Sequence, residues 1–226
     1  QQLLEGIRNL NPQAAAGPSK SSTRELPTVG GVAVIPIIGT LTKRSSWWSF
    51  FFANTSMVSV RDAIAGAVAD PTVNEILLYI DSAGGEVRGI GDTWSAIMAA
   101  RKKKRVTAYI EDLAASGAYY LATAANEIII NPTGWMGSIG VYIVVDDLSE
   151  NFARQGIRTH VVKSAERKGD GVPGAPITEE ALHNWQVQVD VSHGQFLTAI
   201  SEGRGMTVDR VAKFADGRLI GATAAK

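Results

Sequence analysis

Residues 112–120 read DLAASGAYY and follow the apolar run VTAYI at 106–110. An apolar run, a cluster of small residues and a second apolar stretch predict a strand, a tight turn and a helix. Ser116 lies at the turn, directly before the predicted helix. Free backbone N–H groups at the start of a helix favour negative charge, so a hydroxyl placed there suits attack on a carbonyl group.

Three further segments carry glycines or cations in an order that suits the same chemistry. The run ILLYI at 76–80 leads into DSAGGEV at 81–87, which predicts a buried strand and a tight turn into a helix. Another apolar strand, Glu127 to Ile130, precedes the glycine-spaced GWMGSIGV at 134–141. The last segment, VKSAERKG at 162–169, places Lys168 downstream of Ser116. Glycine lets a backbone approach a ligand closely, so these turns are candidates for a binding site.

Together with GVAVIPIIGTL at 31–41, these segments resemble the signal-peptide peptidase A family of serine peptidases, also called protease IV. That family includes phage head-maturation proteases of the lambda protein C type. The resemblance runs from about Gly30 to Lys226. It implies an α/β fold of the Clp-protease/crotonase type, built of repeated ββα units, with a serine–lysine dyad as the catalytic pair.

The resemblance also assigns the site residues. It implies that Ser116 is the nucleophile, that Lys168 is the general base, and that Gly85 and Gly117 supply the N–H groups of an oxyanion hole. Ser138 is a candidate for holding the lysine amine towards the nucleophile. The alternative for Ser138 is a turn serine that bonds its own backbone. No metal and no cofactor is expected.

A lysine base is consistent with the histidine content of the chain. The three histidines, His160, His183 and His193, lie outside the glycine-bounded motifs. A lysine can replace histidine if its pKa, about 10.4 when free, is lowered by burial or by a nearby cation. We therefore expect Lys168 to be partly buried in the assembled protein. Lys163 is the alternative base, at the end of RTHVVK at 158–163, a segment that predicts a strand.

Composition excludes several classes of protein. The chain has 226 residues, 45% of them hydrophobic, and a formal net charge of zero, as expected for one α/β domain without a nucleic-acid partner. The one basic block, RKKKR at 101–105, is predicted to end a helix, where the dipole favours cations. The absence of cysteine excludes disulfides, and no His/Asp/Glu spacing indicates a metal site.

The pattern along the chain predicts an N-terminal arm or linker at 1–27 and a peptidase domain at 28–226. The predicted helices of that domain lie at 60–69, 92–100, 178–204 and 208–214. The last residues, GRLIGATAAK at 217–226, match a family pattern that continues into another strand, so a truncated C-terminal end is expected. The aromatic segment Trp47–Phe52 predicts a subunit contact, an apolar lip for substrate or a membrane-dipping edge.

The function implied by the resemblance is a serine endopeptidase that cleaves extended or unfolded polypeptides through an acyl-enzyme. Its substrates are leftover signal peptides or phage capsid and scaffold proteins, and Ser116 and Lys168 pair within or between the subunits of a homo-oligomeric ring. The expected location is the cytoplasm, or the prohead if the chain is phage-encoded. Membrane association is expected only through an upstream anchor or the Trp47–Phe52 loop.

Two other classes of function remain open at this point. One is a non-catalytic assembly or scaffold protein of the same fold. The other is a crotonase-type acyl-CoA hydratase or isomerase, which would use carboxylates as its catalytic groups. Glu86 is the nearest such carboxylate, and this class would leave Ser116 without a role.

Overall fold

The structure is a computed structural model that describes residues 26–44 and 54–224. The greater part of the predicted N-terminal arm and the Trp47–Phe52 segment lie outside the described residues. Within them the chain forms one eight-stranded sheet and six helices. The strands are β1 (Thr28–Val29), β2 (Val32–Thr42), β3 (Asn54–Ser56), β4 (Glu75–Gly85), β5 (Arg105–Ala115), β6 (Glu127–Ile130), β7 (Trp135–Gly137) and β8 (Leu219–Gly221). The helices are α1 (Met57–Ala69), α2 (Ile90–Ala100), α3 (Gly117–Ala122), α4 (Ser149–Arg154), α5 (Glu179–Arg204) and α6 (Val208–Ala212).

The topology of the sheet brings the ends of the long strands to one edge. The strand order is β1-β2-β4-β5-β7-β8, with β3 paired to β2 and β6 paired to β5. The neighbours β2, β4 and β5 are parallel, and α1 and α2 form the crossovers between them. The carboxyl ends of β4 and β5, with their glycine and serine turns, therefore lie side by side. This arrangement confirms the predicted α/β fold class.

The long strands are apolar on both faces, and apolar side chains on both faces are buried, as expected for a parallel sheet. Along β4, Ile76, Leu78 and Ile80 join the large core that also contains residues of α1 and α2. The alternate residues Leu77 and Tyr79 pack in a second cluster on the other face. The near-continuous apolar run ILLYI is thus explained by two-sided burial.

The described residues form two compact units. The first, here called the sheet unit, contains the described residues up to Gly140 and from Phe196 onwards. The second, here called the 141–195 unit, is Val141–Gln195 and contains α4 and the first part of α5. The predicted domain boundary between residues 27 and 28 stays a prediction.

All four predicted helices are present, with small shifts at their ends. α1 begins at Met57, three residues before the prediction, because the Oγ of Ser56 accepts a hydrogen bond from the Ser59 N–H and caps the helix there. α6 begins after Thr207, as predicted, and ends at Ala212, two residues before the predicted end. The start of α1 and the end of α6 thus differ from the prediction by two or three residues, and only at the helix ends.

The predicted strand at 158–163 is wrong. These residues form no strand in the 141–195 unit. A strand is stable only when a neighbouring strand pairs with its backbone, and the part of the 141–195 unit around this segment supplies none. The β-branched residues of RTHVVK therefore lie in irregular structure.

The basic block at 101–105 follows the end of α2, as predicted, and the side chains of Arg101 and Lys104 bind backbone carbonyls. The Nζ of Lys104 donates to the carbonyls of Ala67 and Asp70 at the end of α1, both at 2.6 Å. The guanidinium of Arg101 donates to the carbonyls of Ala124 and Gly203. These cations satisfy carbonyl groups that the helix ends leave without partners.

Candidate active site

Ser116 occupies the sharp turn between β5 and α3. Its backbone has φ 50° and ψ −122°, a conformation that residues with a side chain rarely adopt. Its N–H donates to the carbonyl of Gly137 at 2.9 Å, and its carbonyl accepts from the N–H of Tyr120 at 2.9 Å. Strained residues of this kind cluster at functional sites, and a strained strand-to-helix turn presents a serine hydroxyl at its tip. The predicted nucleophile therefore has the backbone that its role requires.

Gly84 packs directly against this turn. Its φ is +92°, and a Cβ added to it would lie 2.7 Å from the Ala115 carbonyl oxygen, 2.8 Å from the Gly117 nitrogen and 2.9 Å from the Ser116 Cβ. No side chain fits in that space. The first glycine of the pair at 84–85 thus lets the end of β4 touch the serine turn.

Gly85 and Gly117 lie beside each other at the same place. A Cβ on Gly85 would lie 2.1 Å from the Leu41 carbonyl oxygen, so only glycine fits there. A Cβ on Gly117 would lie 3.7 Å from the Gly85 nitrogen. Gly117 is the first residue of α3, where a backbone N–H has no acceptor inside the helix. The structure therefore brings both predicted oxyanion glycines next to Ser116.

Ser138 lies one residue beyond the carbonyl that holds Ser116. Its φ is 50°, and Ser116 and Ser138 are the two residues other than glycine with positive φ in the described part of the chain. The Ser138 N–H donates to the Arg218 carbonyl at 2.8 Å. Two strained serines on adjacent turns are consistent with a shared site. The predicted role of Ser138 in orienting a lysine stays a prediction.

A cleft of about 950 Å³ opens within the sheet unit and includes Gly137 in its wall. Most of its other lining residues are apolar, among them Tyr119, Met136 and Ile139. Arg204 supplies a cationic group to the same wall. Apolar concave surfaces of this size accept side chains of a ligand.

The two candidate bases lie in the 141–195 unit. Lys168 is exposed to solvent in the single chain, and its backbone N–H donates to the Ala165 carbonyl at 3.0 Å. The Nζ of Lys163 donates to the carbonyl of Glu166 in the same loop. A lysine amine already bound to its own loop is less available as a base, which favours Lys168. The expected burial of Lys168 in an assembly stays a prediction.

An acidic group that the sequence analysis missed lies near the end of β4. Burial raises the pKa of Asp81, and the carboxylates of Asp112 and Glu111 raise it further, while the Leu113 backbone N–H acts in the opposite direction. Burial, together with the same carboxylates, also raises the pKa of Tyr79 to about 12. The pairing of β4 and β5 shifts register here, which gathers carboxylates that are distant in sequence. No local motif marks them.

Residues 26–44 and 54–224 contain no group of three or more His, Asp or Glu side chains placed to hold a metal ion. None of the helices in these ranges is both long enough and apolar enough to cross a membrane.

Comparison with known families identifies one that covers more than half of the chain. The profile of Peptidase family S49 matches residues 98–226. This range contains both Ser116 and Lys168. It is the family to which the sequence resemblance pointed.

Individual relatives extend the similarity towards the N-terminus. The chain is 30% identical over 192 residues to the "Head-tail preconnector protein GP5" of Enterobacteria phage P21, covering 85% of this chain and 38% of that protein. It is 29% identical over 188 residues to the "Capsid assembly protease C" of Escherichia phage lambda, covering 83% and 43%. It is 26% identical over 193 residues to "Protease 4" of Salmonella typhi, covering 85% and 30%. The chain thus spans less than half the length of these relatives.

Proposed function

Because the chain belongs to peptidase family S49, we propose that it hydrolyses peptide bonds with Ser116 as the nucleophile and Lys168 as the general base. Family membership confirms the recognition made from the sequence. The observation that carries the proposal is the strained turn of Ser116, with the backbone of Gly85 and Gly117 packed beside it. A nucleophile with two adjacent backbone donors is the arrangement that acyl transfer needs.

The proposed reaction has two steps. The hydroxyl oxygen of Ser116 attacks the peptide carbonyl carbon while the neutral amine of Lys168 takes the hydroxyl proton. The N–H groups of Gly85 and Gly117 stabilise the negative charge on the carbonyl oxygen. The C–N bond then breaks, and Lys168 returns the proton to the leaving amine. Water attacks the acyl-enzyme in the same way, which releases the acid and restores Ser116.

We propose extended or unfolded polypeptides as the substrates. Two of the similar relatives carry names from phage head assembly, which favours capsid or scaffold proteins over leftover signal peptides. On this proposal the protein acts in the prohead. The apolar wall of the cleft that includes Met136 and Ile139 favours small or apolar side chains next to the cut.

We also propose that the active protein is a homo-oligomer. The 141–195 unit exposes apolar side chains, with Tyr142 exposed at 84% and Val162 at 100%. Apolar surface of this kind marks interaction sites. Covering this unit in an assembly would remove water from around Lys168, and burial favours the neutral amine that a lysine base needs.

The test of the nucleophile compares wild type, Ser116→Ala and Ser192→Ala for cleavage of casein and for labelling by a fluorophosphonate. Ser192 is a matched control because its hydroxyl only bonds the Gln188 carbonyl within α5, at 2.9 Å. We expect wild type and Ser192→Ala to cleave and to be labelled, and Ser116→Ala to do neither. Cleavage by Ser116→Ala at the wild-type rate would overturn the assignment of the nucleophile. An unlabelled and inactive wild type would favour the scaffold alternative.

The test of the shared site uses complementation. Ser116→Ala and Lys168→Ala chains are refolded together, and their casein cleavage is compared with that of each variant alone. If the serine and the lysine of one site come from different subunits, about a quarter of the sites in a random mixture contain both groups. Restored cleavage would show pairing between subunits. No restoration, in a mixture shown to contain both chains in one oligomer, would show pairing within a chain.

A further inference from the structure

Ser82 is a buried hydroxyl beside the glycine pair, and the proposed reaction gives it no role. The residue is 2% exposed. Its Oγ donates to the carbonyl of Gly39 at 2.5 Å and accepts from the N–H of Gly84 at 3.1 Å. One hydroxyl thus connects β2 with the turn at the end of β4.

This hydroxyl spans an irregularity in the pairing of β2 with β4. Pairing runs as far as Ile38 opposite Asp81 and resumes at Thr40 opposite Gly84. Residues 82 and 83 of β4 therefore face the single residue 39 of β2, which is a β-bulge. Backbone groups lose their regular partners at a bulge, and a side chain can replace them. The Ser82 hydroxyl is such a replacement partner for the Gly39 carbonyl and the Gly84 N–H.

The position of Gly84 determines the geometry of the proposed site. Its backbone touches the Ser116 turn so closely that a Cβ would lie 2.9 Å from the Ser116 Cβ. The next residue, Gly85, supplies one of the two proposed oxyanion donors. A change in the bulge that moves Gly84 therefore changes the direction of the Gly85 N–H relative to Ser116.

We propose that Ser82 is a positioning residue of the active site, whose hydroxyl holds the Gly84–Gly85 turn so that the Gly85 N–H points at the developing oxyanion. The catalytic part of this inference rests on the proposed function. The bridge from Gly39 to Gly84 does not, because it is a feature of the fold. Fixed donors are effective in catalysis because they need no rearrangement during the reaction.

The test compares Ser82→Ala with Ser82→Thr, which keeps a hydroxyl, and with Thr107→Val. Thr107 is a matched control because it is also a buried hydroxyl of this sheet and donates to the Glu75 carboxylate at 2.8 Å. It lies about 26 Å along β5 from Ala115, at about 3.3 Å per residue. For each variant the measurements are kcat and KM on a chromogenic peptide, urea unfolding, and hydrogen exchange of the Gly84 and Gly85 amides.

We expect Ser82→Ala to lower kcat by about 10- to 100-fold with KM within about 2-fold of wild type, because a misdirected donor weakens transition-state binding more than substrate binding. The Gly84 and Gly85 amides should exchange faster, and Ser82→Thr should restore part of kcat. Thr107→Val should lose stability and keep kcat. If Ser82→Ala does not fold, Ser82→Cys, which keeps the volume and weakens both hydrogen bonds, takes its place.

Two outcomes would overturn the inference. One is a kcat for Ser82→Ala as high as that of Thr107→Val. The other is unchanged exchange at Gly84 and Gly85. Failure of the proposed function gives a different result, because the wild type itself would then hydrolyse nothing and leave Ser116 unlabelled. In that case the exchange measurement still decides whether Ser82 holds the turn.

Discussion

The sheet unit and the 141–195 unit differ in how their apolar residues are used. In the sheet unit, large aliphatic side chains such as Ile35, Leu78 and Ile80 are fully buried. In the 141–195 unit, only Gly174 and Ala181 are buried among its described residues. Many of its apolar side chains are exposed, namely Tyr142, Ile143, Val144, Leu148, Ile157, Val161, Val162, Val172, Leu182, Val187 and Val191. The proposed nucleophile, Ser116, belongs to a unit with its own core, and the proposed base, Lys168, belongs to a unit without one.

This difference has a consequence for catalysis. The serine, the two glycines and the bulge are held by backbone contacts inside the sheet unit, so a single chain can fix them. A lysine base needs a partly dry environment, which the exposed loop around Lys168 does not supply in a single chain. We therefore expect catalysis by this protein to depend on assembly more strongly than its folding does.

The largest expected effect concerns the proposed base. Lys168→Ala should lower the rate of casein cleavage by at least about a thousand-fold, because on the proposed mechanism it removes the group that takes the proton from Ser116. Lys163→Ala should keep the rate within a few-fold, because its amine binds the Glu166 carbonyl. The rates are measured on oligomers of equal size, checked by light scattering. A loss confined to Lys163→Ala would reverse the assignment of the base within the 141–195 unit.

The second prediction concerns Gly85, which lies beside Ser116 in the sheet unit. Gly85→Ala should lower kcat by about a hundred-fold, because its methyl group would lie 2.1 Å from the Leu41 carbonyl oxygen and would displace the oxyanion donor. Gly91→Ala in α2 is the control, since no atom lies within 4 Å of a Cβ added there. That variant should stay active and gain about 0.5–1 kcal/mol of stability. Full activity in Gly85→Ala would remove Gly85 from the oxyanion hole.

A third prediction compares the stability of the two units. Ile80→Ala should lower the free energy of unfolding by about 2–5 kcal/mol, because it leaves a cavity in the core. Val162→Ala should change it by less than about 0.5 kcal/mol, because that side chain is fully exposed. Urea unfolding at several protein concentrations measures both. A loss of stability in Val162→Ala that grows on dilution would place Val162 in a subunit contact. A loss in Val162→Ala as large as that in Ile80→Ala at every protein concentration would contradict the difference drawn between the two units.

The smallest effect concerns the half-buried carboxyl of Asp81 near the end of β4. The pKa of Asp81 is raised in the folded protein, so its ionised form lowers stability, and stability falls as the pH rises from the unfolded pKa of 3.8 through the folded pKa. Asp81→Asn should therefore raise the Tm at pH 7, and the gain should vanish below about pH 4. Thermal unfolding between pH 3 and pH 7 checks this.

Asp70 provides a control of opposite sign. Hydrogen bonds from the side chain and the backbone N–H of Thr72 lower the pKa of Asp70, so its ionised form adds stability that is present above the unfolded pKa and lost as the pH falls through the folded value. Asp70→Asn should lower the Tm at pH 7. If both variants shift the Tm in the same direction, the electrostatic explanation for Asp81 is wrong.

The sequence predicted the main segments of the candidate site because each segment is local. The apolar run before Ser116 predicts β5, the small residues predict the turn, and the glycines at 84–85 predict a close backbone approach. The family resemblance placed these segments in one fold and is confirmed by the family match. The prediction of a strand at 158–163 was wrong, because β-branched residues form a strand only where a partner strand is available.

Turn chemistry and apolar periodicity predict the strands and turns of the candidate site from the sequence alone, because they are properties of neighbouring residues. The family resemblance adds the family and the fold class. Three features are visible only in the folded chain: Gly84 touches the Ser116 turn, Ser82 bridges the bulge from Gly39, and carboxylates near the paired ends of β4 and β5 gather around Asp81. These features arise where the pairing of long strands shifts register. The register between strands is set by the packing of the whole sheet, so it cannot be predicted from a short segment of the sequence.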